Sequence, residues 1–260
     1  MSSTPHDSLF RAVFSIPENA ASELRYCLPA EVATHLDFST LKRLPGSFVD
    51  ERLSHRHTDL LFQVMAAGQQ AFVYVLFEHQ STADKWMMLR LVGYMVRIWD
   101  DHLKKNPGCE KLPVVIPVLL SQVEGGWRVE RSLSDLMDLT ADLKPVLSRY
   151  VPDFAVEIED LGKVTGEELE RRNLIAHAKL ALLLMRYARE TESIVALLGR
   201  WAAQIPEAFG ESLSSTFVWY VLYAYSQVDV SGLKKFVGDA APKWEGAVMT
   251  GAEQLIQEGL

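Results

Sequence analysis

The chain has 260 residues, of which 48% are hydrophobic and 23% are charged, values typical of globular proteins with a buried core. Its formal net charge of −8 at pH 7 argues against a partner held mainly by neutralising nucleic-acid phosphates on a broad basic surface. Only two cysteines are present, Cys27 and Cys109, which excludes a disulfide framework or a cysteine-rich metal site and favours a reducing cytoplasm.

The first residues lack the basic start and apolar stretch of a signal peptide. The longest apolar runs fall well short of the roughly 18 residues that a membrane-spanning helix needs. We therefore expect a cytoplasmic protein with no membrane partner.

The first part of the chain alternates between helical and strand patterns. In chain order the predicted elements are helices at 7–14 and 20–28, strands at 57–65 and 72–81, a helix at 83–105, and strands at 112–120 and 154–161. Asp7 is predicted as the N-cap of the first helix. The Gly-containing segment 66–70 is suited to a hairpin turn. Pro117, inside the apolar run 112–120, indicates an irregularity or a sheet edge.

From residue 166 onward the pattern is helical throughout. The predicted helices are 167–190, 193–204, 213–226 and 242–257. Strands separated by a helix and followed by a helical half predict an α/β core with an α-helical C-terminal extension. We place the division between residues 1–165 and residues 166–260.

Three polar residues of the predicted hairpin form the candidate site: Asp59, Glu78 and Gln80. Strand alternation points Glu78 and Gln80 to the same side of the sheet. If the hairpin closes around Gly68 and Gln69, Asp59 falls opposite or nearly opposite Glu78, where paired Cβ atoms are about 5 Å apart. Two carboxylates at that separation can bind one hard cation, although the spacing alone equally allows both acids to face solvent.

The residues around these acids resemble a known family. Asp59 followed by Glu-x-Gln on the next strand resembles the PD-(D/E)XK nuclease motif with Gln in place of Lys. More closely, the chain resembles the recombination-promoting nuclease (putative transposase) family. The matching segments are 5–11 (PHDSLFR), 28–29, 58–62 (TDLLF), 77–82 (FEHQST), 89–94 (LRLVGY), 112–117 (LPVVIP) and 252–256 (AEQLI).

This resemblance implies a restriction-endonuclease-like core, a mixed sheet flanked by helices, within residues 1–165. Asp59 and Glu78 would be the metal ligands and, with Gln80, the catalytic residues. Mg²⁺ is the implied cofactor, with Mn²⁺ able to substitute. The implied activity is metal-dependent hydrolysis of DNA phosphodiester bonds, in recombination or defence against mobile elements, by a chain able to form homo-oligomers.

Two departures from the family pattern stand close to the site. Thr58 replaces the proline of the motif, a change that removes no ligand. Residues 121–123 (SQV) replace the turn that usually ends the buried strand in relatives, which puts the shape of the next loop in question.

Three further residues are candidates for substrate binding: Asp7, Arg90 and Tyr94. Asp7 belongs to the family-like segment and could reach the metal, but a helix-capping role is the interpretation that we favour. Arg90 and Tyr94 lie one helical turn apart and either face phosphate or fix the helix to the sheet.

The sequence also contains weaker patterns and allows rival functions. His55 and His57 lack further ligands at zinc spacing, His79 should point away from the site, and the aromatic run 219–225 is more typical of core than of base stacking. The rival function is a nuclease-fold module that binds DNA or protein with weak or no catalysis. A third alternative is an RNA substrate.

Overall fold

The structure is a computed structural model that describes residues 4–45, 58–78, 83–188, 194–201, 211–225 and 230–240. Its strands are β1 (Leu36–Leu44), β2 (Thr58–Ala66), β3 (Gln69–Glu78), β4 (Val114–Ser121) and β5 (Glu157–Asp160). Its α-helices are α1 (Pro5–Phe14), α2 (Pro17–Cys27), α3 (Ala30–Ala33), α4 (Met87–Lys105), α5 (Lys144–Leu147), α6 (Gly166–Arg171), α7 (Ala176–Tyr187), α8 (Ile194–Trp201), α9 (Glu211–Ala224) and α10 (Val230–Ala240). Short 3₁₀ helices lie at Leu133–Leu136 and Ser148–Tyr150.

The five strands form one mixed sheet in the order β1-β2-β3-β4-β5. The first three strands are antiparallel, and β4 and β5 continue the sheet in parallel with β3. Helix α4 connects β3 to β4, as a parallel pair requires. The predicted α/β class, a mixed sheet flanked by helices with further helices toward the C-terminus, is confirmed.

The chain separates into two compact units, one containing Cys27–Lys163 and the other containing Met1–Tyr26 with Val164–Leu260. The first unit contains the whole sheet. The contacts group the first two helices with the C-terminal helices, whereas the sequence analysis placed them with the sheet. The domain division at residue 165 stays a prediction.

The predicted hairpin is confirmed, and its turn is tighter than predicted. Ala66 pairs with Gln69, so Ala67 and Gly68 alone connect the strands. Both have positive φ, at 46° and 84°, the pattern of a type I′ turn, whose twist matches that of the strands. Gly68 adopts this conformation without steric cost, but Ala67 does not, because its Cβ crowds the following carbonyl.

Replacing Ala67 with Asn should stabilise the sheet unit. Asn tolerates the left-handed conformation and is favoured in type I′ turns, and this conformation costs other residues with a Cβ roughly 1–2 kcal/mol. We therefore expect the free energy of unfolding to rise by about 1 kcal/mol. Chemical denaturation of the purified variant measures this change. Ala66→Asn, in the adjoining strand position, is the matched control and should give no gain; an equal gain there would contradict the turn argument.

Strand β1 was missed by the sequence analysis because a bulge interrupts its alternation. Its register with β2 shifts between Asp37 and Lys42. The Asp37 carboxylate accepts hydrogen bonds from the backbone and side chain of Ser39, and Thr40 Oγ1 accepts one from the backbone N–H of Met65. The polar residues that break the apolar pattern therefore build the bulge itself.

The proline in β4 occupies a strand inside the sheet, not an edge strand. Pro117 pairs with Tyr74 of β3, while β5 pairs only with Val118–Ser121. At Pro117 the strand thus has a neighbour on one side alone, which explains why a residue without an N–H is tolerated there.

Helix α4 covers the face of the sheet that carries the even-numbered residues of β3. Met87, Leu91, Tyr94, Met95 and Ile98 are buried on its inner side, at the i, i+4, i+7 spacing predicted from the sequence. They pack in one core cluster with Phe72, Tyr74 and Leu76 of β3 and with Val115 and Leu119 of β4. The sheet face that contains Asp59 is therefore packed against α4.

In the helical unit, two predictions need correction. Helix α1 begins at Pro5 with Thr4 as its N-cap, and Asp7 is the third helical residue, whose carboxylate completes a capping box with Thr4. The single helix predicted at 167–190 is two helices, α6 and α7, because the backbone of Arg172 is extended and ends α6. The side chain of Arg172 is buried, with the residue only 4% exposed. Its guanidinium lies 3.4 Å from Glu23 Oε1 and over the ring of Tyr26.

The remaining helix predictions have different outcomes. Those at 193–204 and 213–226 are confirmed by α8 and α9, and that at 242–257 lies outside the described residues. Within the described ranges, no helix combines the length and apolar character that crossing a membrane requires.

Candidate active site

Asp59 lies at the start of β2, half-buried, on the sheet face that α4 covers. The hydroxyl of Tyr74 donates a hydrogen bond of 2.8 Å to Asp59 Oδ2. Tyr74 is the register partner of Leu61, so its side chain and that of Asp59 share one face and meet diagonally across the two strands. The contact fixes the carboxylate against the sheet.

Burial keeps the phenol of Tyr74 protonated. Desolvation raises its pKa well above 10.0, and the negative charge of Asp59 raises it further. Tyr94 of α4 packs on Tyr74 with ring centroids 5.2 Å apart, and its pKa is also raised, first by desolvation and then by Asp59. Tyr74 is therefore a permanent donor to Asp59 at neutral pH.

The register places Glu78 diagonally from Asp59. Asp59 pairs with Leu76, and position 78 follows two residues later on the same side of the pleat. The turn closes between Ala67 and Gly68, one residue earlier than predicted, which moves the partner of Asp59 from position 78 to position 76. Diagonal positions are about 7–8 Å apart, so positions 59 and 78 are neighbours across the strand pair.

The other two predicted site residues are described only in part or not at all. For Glu78 the structure describes the backbone pairing with Ser121 of β4. Gln80 lies outside the described residues, as do His55, His57 and His79. The catalytic and metal-binding roles of Asp59, Glu78 and Gln80 stay predictions.

Arg90 and Tyr94 lie on α4, and the charges of Asp59 and Arg90 both act on Tyr94. The guanidinium of Arg90 is 2.9 Å from Asp84 Oδ2, an ion pair at the start of the helix. Tyr94 is only 3% exposed and packs against Tyr74. These contacts fix both residues in the sheet unit, and their predicted contact with substrate stays a prediction.

Asp7 belongs to the helical unit, where its carboxylate caps α1. The aromatic run 219–225 lies in the same unit and is largely core: Tyr220 is 2% exposed and Tyr225 is 7% exposed. The hydroxyl of Tyr220 lies 2.9 Å from Nδ1 of His6, and that of Tyr225 donates to the carbonyl of Leu184. The core interpretation of this run is thus confirmed for these two tyrosines.

Tyr74 and Arg97 are not among the site residues predicted from the sequence. Tyr74 precedes Glu78 by four residues, so strand alternation places it on the site face, a signal that the sequence contained. Arg97 is one turn beyond Tyr94 on α4. Its positive charge lowers the pKa of Tyr74 and Tyr94, against the desolvation that raises both. It therefore brings positive charge to the environment of Asp59.

The donors described here suit a hard divalent cation. The Asp59 carboxylate supplies oxygen atoms, and Mg²⁺ prefers oxygen ligands and retains several waters. No group of three or more His, Cys, Asp or Glu side chains that could enclose an ion occurs within the described ranges.

Comparison with known proteins identifies the family. Residues 4–211 match the family described as "Putative transposase, YhgA-like". The chain belongs to this family. It is 28% identical to the recombination-promoting nuclease RpnA of Escherichia coli (strain K12) over 262 residues, covering 99% of this chain and 85% of that protein.

Two further relatives show the range of the family. The recombination-promoting nuclease RpnC of Escherichia coli (strain K12) is 29% identical, covering 80% of this chain and 66% of that protein. The inactive recombination-promoting nuclease-like protein RpnE of the same strain is 28% identical, covering 99% and 83%. No solved structure matches the chain. The family resemblance is confirmed, and the family contains proteins named as nucleases and proteins named as inactive.

Proposed function

We propose that this protein is a Mg²⁺-dependent DNA endonuclease that hydrolyses phosphodiester bonds with Asp59, Glu78 and Gln80. The observation that carries the proposal is the half-buried Asp59 carboxylate, held by Tyr74 on the face that also contains strand position 78. Burying a carboxylate is unfavourable unless positive charge compensates it, and a bound cation would add to the positive charge that Arg97 already brings to this environment. The family membership supports the same chemistry.

In this proposal each residue has a defined task. Asp59 and Glu78 hold the cation between β2 and β3. When bound, Mg²⁺ lowers the pKa of a coordinated water and polarises the scissile phosphate. Gln80 cannot act as a general base, so it orients the attacking water or a phosphate oxygen through its amide. Tyr74 keeps the Asp59 carboxylate in one orientation.

The direct test is cleavage of supercoiled plasmid DNA by the purified protein. We expect nicked and linear products with Mg²⁺ or Mn²⁺ and no products with EDTA. The same reactions with RNA of equal length test the alternative substrate. Absence of cleavage with every divalent cation, by a folded protein, would remove the nuclease proposal.

Tyr74→Phe should weaken metal binding. Hydrogen bonds to metal-ligating carboxylates typically contribute 10–100-fold in affinity, so we expect Mn²⁺ to bind about 10-fold more weakly in calorimetry. The kcat at saturating Mn²⁺ should fall much less. Tyr150→Phe, at a tyrosine that is 78% exposed, is the matched control. Unchanged Mn²⁺ affinity in Tyr74→Phe would contradict the positioning role.

A second candidate function is a nuclease-fold module that binds DNA or protein without cleavage. The relative named as inactive, the Gln in place of the motif's Lys and the net charge of −8 favour it. Calorimetry with Mn²⁺ separates the two candidates, because a pure binding module has no need of the ion. Failure to bind Mn²⁺, together with retained DNA binding, would favour the module.

A further inference from the structure

A cavity of about 390 Å³ lies on the same sheet face as Asp59, farther along β2. Asp59, Leu61 and Gln63 alternate onto this face; Leu61 and Gln63 line the cavity. Asp59 and Gln63 are four steps of about 3.3 Å apart along β2, a distance of roughly 13 Å. An extended DNA strand covers that distance in a few nucleotides, so one substrate can occupy both places.

The walls of the cavity combine an apolar base with neutral polar groups. Leu61, Phe72 and Ile98 supply the apolar surface, and Gln63 and Gln70 supply carboxamides from neighbouring strands. Gln63 pairs with Phe72, and Gln70 lies two residues before Phe72, so the two amides are diagonal neighbours on one face. Within the described part of the chain, neither carboxamide makes a hydrogen bond to the protein.

The charged residues of the cavity are already engaged with each other or with the protein. Lys105 Nζ lies 2.9 Å from Asp101 Oδ2. His102 Nε2 lies 3.5 Å from Cys109 Sγ, and Asn106 Nδ2 donates to the carbonyl of His102. The Asp101 carboxylate would repel a phosphate. A neutral, flat ligand with both donors and acceptors on its edge suits the cavity better than an anion does.

We infer that this cavity binds one unpaired nucleobase of the substrate and that the protein therefore prefers single-stranded or locally unpaired DNA. The inference rests on the proposed nuclease function. Glutamine and asparagine amides pair with base edges through two hydrogen bonds, and a base can reach such a pocket only when it is free of its partner strand. The volume lies within the range of small-molecule sites.

The net charge of −8 is consistent with this mode of binding. A protein that gains little from phosphate neutralisation needs affinity from another source. Hydrogen bonds to a base edge and apolar contact with its ring add affinity that does not come from phosphate contacts. Base recognition thus accounts for how an acidic chain could hold DNA.

The test measures binding of fluorescent oligonucleotides by anisotropy in EDTA, where no cleavage occurs, at one fixed ionic strength. The probes are a single strand, the same sequence as a duplex, and a single strand of abasic nucleotides. We expect the single strand to bind more tightly than either of the others. Gln63→Met and Gln70→Met should each weaken single-strand binding on the order of 10-fold and leave binding of the abasic strand unchanged.

Gln69→Met is the matched control. Gln69 is exposed and directly precedes Gln70 on β3, so strand alternation points it to the other face of the sheet, away from the cavity. Thermal melting of each variant checks the fold. Equal binding of base-containing and abasic strands, or an equal loss on both in the Gln63 and Gln70 variants, would overturn the inference. Cleavage assays separate this inference from the proposed function. If the protein cleaves DNA and Gln63→Met does not weaken single-strand binding, only the role of the cavity is contradicted. If the protein prefers base-containing strands but does not cleave DNA, only the nuclease proposal is contradicted.

Discussion

Replacing Asp59 with Asn should abolish DNA cleavage. The substitution removes the negative charge that holds the cation but keeps the shape of the side chain and an oxygen that can accept the Tyr74 hydrogen bond. A catalytic metal contributes several kcal/mol to stabilising the transition state, and each 1.4 kcal/mol changes the rate tenfold. We therefore expect a loss of about a thousandfold or more in the plasmid assay.

The control for this variant is Asp100→Asn, the same chemical change at an exposed position of α4. It should leave cleavage unchanged. Thermal melting should show that Asp59→Asn is as stable as the unchanged protein or more stable, because a half-buried carboxylate is replaced by a neutral amide. Full cleavage activity in a folded Asp59→Asn protein would show that Asp59 does not hold the catalytic ion.

The sequence predicted the elements that carry the site because their patterns are local. Apolar residues at helical spacing in α4, and alternation with a Gly-containing turn in β2 and β3, are each recognisable within about 20 residues. The site face followed from the same alternation. The observed turn lies one residue earlier than the predicted one, which shifts the pairing of β2 with β3 by two residues. An even shift keeps every side chain on its predicted face of the sheet.

The errors arose where an element depends on contacts distant in sequence. Strand β1 has polar residues where alternation requires apolar ones, and the bulge explains them only once Thr40 is seen to bond Met65 of β2. The tolerance of Pro117 depends on where β5 stops pairing. Neither fact is present in the local pattern.

The contact between Tyr74 and Asp59 shows what a motif leaves out. The motif consists of the acids and the amide that we predict to contact the ion or the substrate, whereas Tyr74 contacts Asp59 across a strand pair. Its position follows from alternation, but its role requires the register. The cavity beside Gln63 and Gln70 likewise depends on the packing of α4 against β1, β2 and β3, which no single segment specifies.

Arg172→Met should strongly destabilise the helical unit. The side chains of Arg172 and Glu23 are 3% and 8% exposed, and their charged atoms lie 3.4 Å apart. Removing the guanidinium leaves the Glu23 carboxylate buried without that counter-charge, a change that typically costs about 3–5 kcal/mol. Stacking of the guanidinium over Tyr26 is lost as well. Denaturant unfolding followed by circular dichroism measures the effect.

The neighbouring residue provides a matched control for this prediction. Arg171 forms an ion pair with Glu167 in which both side chains are 80% exposed, so Arg171→Met should change stability by well under 1 kcal/mol. Adding Glu23→Gln to Arg172→Met should recover part of the loss, because the penalty comes from the isolated buried charge rather than from the missing contact. Equal losses of stability in Arg171→Met and Arg172→Met would contradict this account. The two arginines are adjacent in sequence but differ in burial, and burial decides how much an ion pair contributes to stability.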